Sequence, residues 1–338
     1  MPYSAFVRIH TRQSGVAFAV FALLLATTNG STQDAPAATY SEAVGPLVEA
    51  KCVHCHYPGG SAPMAFMSYA ELRDWAKRSY TPLDALLRTR AMPPWPASPD
   101  VGEFSNAEFL TDAEIGLLLK WIEAGLPRGN GPYNAPAPPP EWPLGEPDHV
   151  ITLPEYSVPE DVVGESRTVQ LQTSFPEDRW IVATEVRPGN KYAVNAVDAG
   201  PLGAYQLGQS KTAYPAPYAY LLKKGATIDV TTHYLKEQGV EETDQTQIAV
   251  YFAKDVSGFK QLFNEPMRAE AFTIPAETAD FEVEVSYTLP KDAKIVSIMP
   301  VMRTRGKRVT YTLISPDGSE RTLWEIPDWN PNWKYRYM

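Results

Sequence analysis

Cys52-Val53-His54-Cys55-His56 is the stretch on which the reading of this chain turns. It is a C-x-x-C-H pattern, the attachment sequence for c-type heme. Two thiols separated by two residues can add to the vinyl groups along one porphyrin edge, and the histidine that follows then reaches the iron from below. The chain has only two cysteines, and both lie here, so none remains for a disulfide framework or a separate thiol nucleophile. Three rival uses fit less well. A thioredoxin-like C-x-x-C belongs after a strand in a βαβ unit, whereas this one follows a helical segment over 42–51. A zinc site lacks a second ligand pair downstream. A plain disulfide leaves His56 without a role. The motif predicts one covalently bound heme c on Cys52 and Cys55, with His56 as iron ligand.

The sixth ligand should be a methionine or a histidine. Met92, in Arg90-Ala91-Met92-Pro93-Pro94-Trp95, is the expected one, because two prolines make a stiff, extended segment that can hold a thioether in place. Met64 and Met67 are rivals just past His56, and core packing is the plain alternative for any of the three. His54, between the cysteines, is expected at the surface or near a heme propionate.

Working outward, helices are predicted around the motif. Tyr40–Lys51 carries apolar positions at 44, 47 and 48. Thr111 with Glu114 forms a capping-box sequence. Ile115, Leu118, Leu119 and Ile122 then form one stripe, which ends near Gly125 and Pro127. Helices before and after the motif predict a small all-α heme domain over residues 38–126, and that stretch resembles a class I cytochrome c domain. Residues 127–150 hold eight prolines, at 127, 132, 136, 138, 139, 140, 143 and 147, and read as an extended linker.

Beyond the linker the pattern changes to period 2. Phe281, Val283, Val285, Tyr287 and Leu289 alternate with Glu282, Glu284, Ser286 and Thr288, as in a half-buried strand. Val309, Tyr311 and Leu313 repeat this, and Pro316-Asp317-Gly318 supplies a turn. Residues 226–235 and 246–254 are further strand candidates. The expected fold class is therefore multidomain, an all-α heme domain followed by an all-β region.

At the other end, residues 1–30 read as an export signal. Arg8 and Arg12 precede the apolar run Gly15–Ala26, and small and polar residues follow. The run is short against the roughly 20 residues of a membrane helix, and no later stretch is apolar enough to span, so no membrane span is expected after signal removal. An uncleaved anchor is the alternative. The expected location is the periplasm, which suits heme attachment outside the cytoplasm. Composition agrees with a folded, acidic chain: 338 residues, 30 Lys plus Arg against 40 Asp plus Glu, net charge -10. Loss of Arg8 and Arg12 with the leader makes the exported chain more acidic still. A nucleic-acid partner is excluded on that balance.

Residues 52–66, 68–77, 90–95, 102–115, 120–130 and 142–148 (CVHCHYPGGSAPMAF, SYAELRDWAK, RAMPPW, GEFSNAEFLTDAEI, KWIEAGLPRGN, WPLGEPD) resemble bacterial proteins that join a cytochrome c to a copper type II monooxygenase module. That module is similar to the peptidylglycine α-hydroxylating monooxygenase family. The resemblance continues through DRWIVATEVRPGNKY (178–192), THYLKEQG (232–239), VYFAKD (250–255) and the stretch 303–337. It implies two jelly-roll sandwiches, here a first over 151–262 and a partial second over 263–338, each carrying one copper in the family. The departures weigh more than the match. Where the family has a His-His pair for the first copper, this chain has Asn195 and Ala196; only the third ligand position, His233, is a histidine. Where the second copper takes a Pro-His-x-His segment, the chain reads Pro300-Val301-Met302-Arg303, and it reaches Met338 before the position of the family's copper methionine. With five histidines in all and His56 assigned to heme, two coppers are out of reach, and copper is not expected. Asp229 and His233 share a strand face and are read as polar surface; Glu241, Glu242 and Asp244 are read as a solvated acidic loop.

The expected function is electron transfer by a periplasmic c-type cytochrome whose β region docks a redox partner protein, either as a complex subunit or through a basic patch on the partner. Two alternatives stay open: a redox enzyme, copper monooxygenase-like or heme-dependent, that uses the β module for substrate, and a binding module with a vestigial heme. An electron-transfer or complex subunit is favoured over a stand-alone catalyst.

Overall fold

The computed structural model describes residues 4–9, 38–78, 82–289 and 292–338. Four short α-helices occupy the stretch around the C-x-x-C-H motif: α1 (Gly45–Lys51), α2 (Tyr69–Ala76), α3 (Leu83–Arg88) and α4 (Asp112–Glu123). Each is bounded by local chemistry. In α4 the Thr111 hydroxyl accepts from the Glu114 N–H, and the Glu114 carboxylate accepts from the Thr111 N–H at 2.7 Å, which closes a capping box. Ser68 caps α2 by accepting from the Glu71 N–H at 3.3 Å. Pro82 sets the extended residue before α3. One π-type turn, Tyr40–Val44, precedes α1, and Pro46 lies in the first turn of α1. Val44, Val48, Phe66, Leu72, Leu87, Leu118 and Trp121 form the core between these helices.

The expected all-α class I cytochrome c domain is corrected by this structure. The chain is mostly β, with 28% of residues in strands and 14% in helices, and no large all-α domain is present among the described residues. The physical reason lies in the spacing of breakers. Pro58, Gly59, Gly60 and Pro63 follow the motif, and Pro82, Pro93, Pro94, Pro96 and Pro99 punctuate the rest. Each proline removes a backbone donor and restricts its predecessor. Only α4, free of proline, exceeds eight residues.

The sixteen strands are β1 (Ser4–Ile9), β2 (His149–Thr152), β3 (Tyr156–Val158), β4 (Gly164–Gln172), β5 (Arg179–Arg187), β6 (Val194–Asp198), β7 (Ala204–Gln206), β8 (Lys211–Ala213), β9 (Tyr218–Leu222), β10 (Thr227–Leu235), β11 (Glu242–Asp244), β12 (Gln247–Phe252), β13 (Lys260–Gln261), β14 (Val283–Thr288), β15 (Val309–Ile314) and β16 (Glu320–Ile326). Two sheets, β4-β10-β6-β7 and β13-β9-β5-β12-β2, share one apolar core; β8 also pairs with β5, and β3 with β11. Alternation drives this pairing: Ile228, Val230, Thr232 and Tyr234 of β10 are buried while Thr227, Asp229 and Leu235 are exposed. They meet Val158, Ile181, Val186, Val197 and Ile248.

A third sheet has the order β14-β1-β15-β16. Strand β1 lies inside the stretch read as an export signal and pairs antiparallel with β14 on one side and β15 on the other. The apolar run Gly15–Ala26 and the expected cleavage region lie outside the described residues. This sheet packs with Trp324, Ile326, Trp329, Tyr335 and Tyr337, and the cluster takes in Trp95, Ala97 and Phe104 from the segment after Met92. Backbone bonds from Ser98 N–H to Glu325 O (2.9 Å) and Ser105 N–H to Met338 O (3.0 Å) fix that segment to the C-terminal region. Among the described residues no helix is long and apolar enough to cross a membrane.

Candidate functional site

The C-x-x-C-H motif continues the chain out of α1 as tight turns. Cys52 N–H donates to Val48 O (2.8 Å), Cys55 N–H to Cys52 O (3.1 Å) and His56 N–H to Cys52 O (2.9 Å). Val53 is buried and anchors the turn, while both cysteines are half-buried free thiols. Burial, then the neighbouring Cys55, pushes the Cys52 thiol up to about 12. The His56 ring stacks on Phe66, with centroids 4.2 Å apart and planes 8° from parallel. His56 Nδ1 lies 3.2 Å from Met64 O; a carbonyl can only accept, so Nδ1 carries the proton. Nε2 has no hydrogen-bond partner among the described residues. Burial lowers the His56 pKa to about 4, which keeps the ring neutral at ordinary pH.

The loop beyond the motif is held by close backbone approaches. Ala62 N–H donates to Cys55 O and Phe66 N–H to His56 O. A Cβ at Gly60 would come within 2.3 Å of Cys55 O, so only glycine fits there. Lys191, from the loop between β5 and β6, donates to Gly60 O (2.6 Å) and Ala62 O (3.0 Å). Cys55 Sγ lies 3.9 Å from Gly208 O. Gly208 has φ +82°, and a Cβ there would fall 2.3 Å from Tyr335 Oη. Tyr205, on β7, buries a hydroxyl that has no hydrogen-bond partner among the described residues and lies within electrostatic reach of Cys55. The motif is thus placed where the helical region, the first sandwich and the C-terminal segment converge. Lys191, Gly208 and Tyr205 escaped the sequence reading, because no spacing rule links residues more than 130 positions apart.

No family model, curated protein or solved structure matches this chain. The site has to be judged on its own donor set, and that set fits a covalently bound heme. Two reduced thiols flank the turn at the required spacing, and a neutral histidine has its Nδ1–H committed to a backbone carbonyl and its Nε2 free to ligate. Met64 and Met67 pack against the helical core, and Met92 is not in that cluster. Met92 lies half-buried in the turn after α3.

His54 faces outward to Glu108, at 3.0 Å. Burial works against its charged form, yet hydrogen bonds with Cys55 and Glu108 outweigh it and push its pKa up to about 10.

The positions that carry copper ligands in the resembled family form a different surface here. His233 on β10 lies opposite Ala196 of β6 and Ser166 of β4, with Nδ1 2.7 Å from Ser166 Oγ. Thr231–Thr168 and Asp229–Gln170 complete a row of polar cross-strand pairs. Burial lowers the His233 pKa, and the charges of Lys334 and Arg303 lower it further against Asp198. Among the described residues no three His, Cys, Asp or Glu side chains gather as a metal-holding set.

Part of the acidic loop turns inward rather than out to solvent. Asp244 is buried and accepts from Thr246 Oγ1 (2.9 Å) and Asn190 N–H (3.0 Å). Its role is to pin the turn that carries Lys191. A cleft of about 600 Å³ opens beside the third sheet, against Phe104, Ile295, Trp324 and Tyr337, and none of its lining residues belongs to the motif.

Proposed function

We propose that this chain is an exported c-type cytochrome that passes single electrons to a redox partner protein docked on its β region. The observation that carries the reading is the arrangement at His56: Nδ1 tied to Met64 O, Nε2 free, and two reduced cysteines on the same turn. When bound, heme would supply a one-electron ferrous/ferric couple. Cys52 and Cys55 would hold it by thioether bonds, His56 would ligate below, and the Met64 carbonyl would fix the imidazole orientation and raise its basicity. Lys191 would keep the 60–62 loop against the first sandwich.

Intact-mass measurement after expression in a host that matures c-type cytochromes tests this. One added heme that survives acid extraction is expected; an unmodified mass overturns the reading. Methionine ligation by Met92 should give a weak charge-transfer band at roughly 695 nm in the ferric protein, lost in Met92→Ala. A second reading, a heme-dependent oxidoreductase with an open iron position, draws on the place of Met92 outside the cluster that holds Met64 and Met67. Carbon monoxide binding to the ferrous protein at neutral pH would favour it.

A further inference from the structure

The chain is acidic overall, yet one face is not. Residues 300–312 hold Arg303, Arg305, Lys307 and Arg308 and no acid. Arg303, Arg305 and Lys307 are exposed, and none of them has a carboxylate partner among the described residues. Lys307 donates to Ala279 O at 2.6 Å, whereas Arg303 and Arg305 present their charges to solvent in a chain that carries 40 Asp and Glu. Val301, two residues before Arg303, is 69% exposed, so the loop also offers an apolar side chain.

The fold joins this loop to the C-terminal aromatic segment. Trp329 N–H donates to Lys307 O at 2.7 Å, and Gly306 packs so closely on Trp329 that a Cβ would meet Cδ1 at 2.9 Å. The chain then turns through Asn330–Trp333, with Trp333 N–H on Asn330 O at 3.0 Å, and adds Lys334. Lys334 follows directly on Trp333 in this segment. From there inward the path is short. The half-buried Trp333 ring stacks on the buried Tyr335 ring, with centroids 6.3 Å apart and planes 16° from parallel. Tyr335 Oη packs on Gly208, whose carbonyl is 3.9 Å from Cys55 Sγ.

We propose that the face formed by Arg303, Arg305, Lys307 and Lys334 around Trp333 is the docking site for an acidic electron-carrying protein, with Tyr335 and Trp333 joining that site to Cys55. The inference rests on the heme reading above and specifies its partner. It reverses the expectation from net charge, and the length scale of screening decides between the two. At physiological salt, fields fade over about 8 Å, so a partner in contact feels the local cations and not the summed charge of distant carboxylates. The transferred electron leaves ferrous iron and reduces a one-electron acceptor in the partner; no bond forms or breaks and no proton moves.

The test uses the heme-loaded full-length chain and a short poly-glutamate peptide as acidic probe, with binding measured by calorimetry across a salt series. Wild type should bind one peptide per chain, more weakly as salt rises. Arg303→Glu/Arg305→Glu should weaken binding roughly tenfold, and Lys224→Glu/Lys260→Glu, the same charge change elsewhere on the sandwich, should not. Equal affinity in wild type and the first variant, or equal loss in the control, overturns the docking face. Oxidation of the ferrous protein by hexacyanoferrate(III) supplies the second measurement. Trp333→Leu should slow this oxidation several-fold with the heme absorption spectrum unchanged; an unchanged rate overturns the aromatic connection. The heme absorption spectrum is read first. A chain without heme overturns this proposal together with the reading beneath it, whereas a heme-loaded chain indifferent to the charge variants overturns this proposal alone.

Discussion

Residues 149–261 and residues 38–126 reach order by different routes. In the first, regular alternation fills a core from two sheets, and β4 and β10 pair over nine residues without a break. In the second, four short helices enclose a core, but the motif itself lies on turns held by single backbone bonds and by groups lent from elsewhere: Lys191, Gly208 and Tyr335. The sandwich carries its polar row in mutually satisfied cross-strand pairs. The turn region keeps an uncommitted histidine nitrogen and two thiols. Regular structure supplies the platform here, and the irregular part holds the reactive groups.

The largest effect that would sharpen this contrast is all-or-none. Cys52→Ala/Cys55→Ala should abolish covalent heme by mass while the strand signal in circular dichroism keeps its melting transition. Loss of both together would mean that the regions form one cooperative block. Next, Ile248→Ala removes a fully buried side chain from the sandwich. It should cost about 2–5 kcal/mol in denaturant unfolding and leave heme incorporation unchanged. Lys191→Met probes the joint between the regions. Losing two hydrogen bonds from a charged donor should cost about 1.5 kcal/mol and speed amide exchange in residues 60–66; unchanged exchange would show that the loop holds itself.

The smallest effect is at α4, where Thr111→Ala should cost about 1 kcal/mol. Its pH dependence follows from Glu114. Burial alone would raise this carboxyl, but bonds from the Thr111 N–H and hydroxyl outweigh it and hold it below the ordinary 4.5. A lowered folded pKa means that the contribution is complete above the ordinary value and lost as pH falls through the folded one. The difference between wild type and Thr111→Ala should therefore shrink as the pH of the melt drops below 4.5.

Local signals were the legible ones. The capping box at Thr111–Glu114 and the alternation of β10, β12, β14 and β15 could be read because neighbours a few residues apart decide them. The C-x-x-C-H spacing was visible as a pattern, and the structure places it on the turns after α1. The helical stretch read over 40–51 formed as a π-type turn followed by α1, whereas the larger all-α domain built on it did not, because the prolines from 58 to 99 break the chain between the short helices. Nothing in the local sequence connects Lys191 to Gly60 or Gly208 to Tyr335, since both approaches arise only when separate regions pack. Phe6, Val7 and Ile9 beside Arg8 suit the start of a leader as well as they suit a strand.

That last ambiguity has a consequence for the order of events in the cell. Strand β14 makes no pairing with β15; six residue pairs join β1 to β14, and five join it to β15. A peptidase cutting near residue 30 would remove the one strand that makes these elements a sheet, leaving a lone strand beside a hairpin. Were residues 1–30 a leader, folding ahead of cleavage would shelter it in the sheet, and cleavage ahead of folding would keep the sheet from forming in this arrangement. Processing and folding would then be competing clocks, and the ratio of their rates would set which C-terminal structure the exported chain carries.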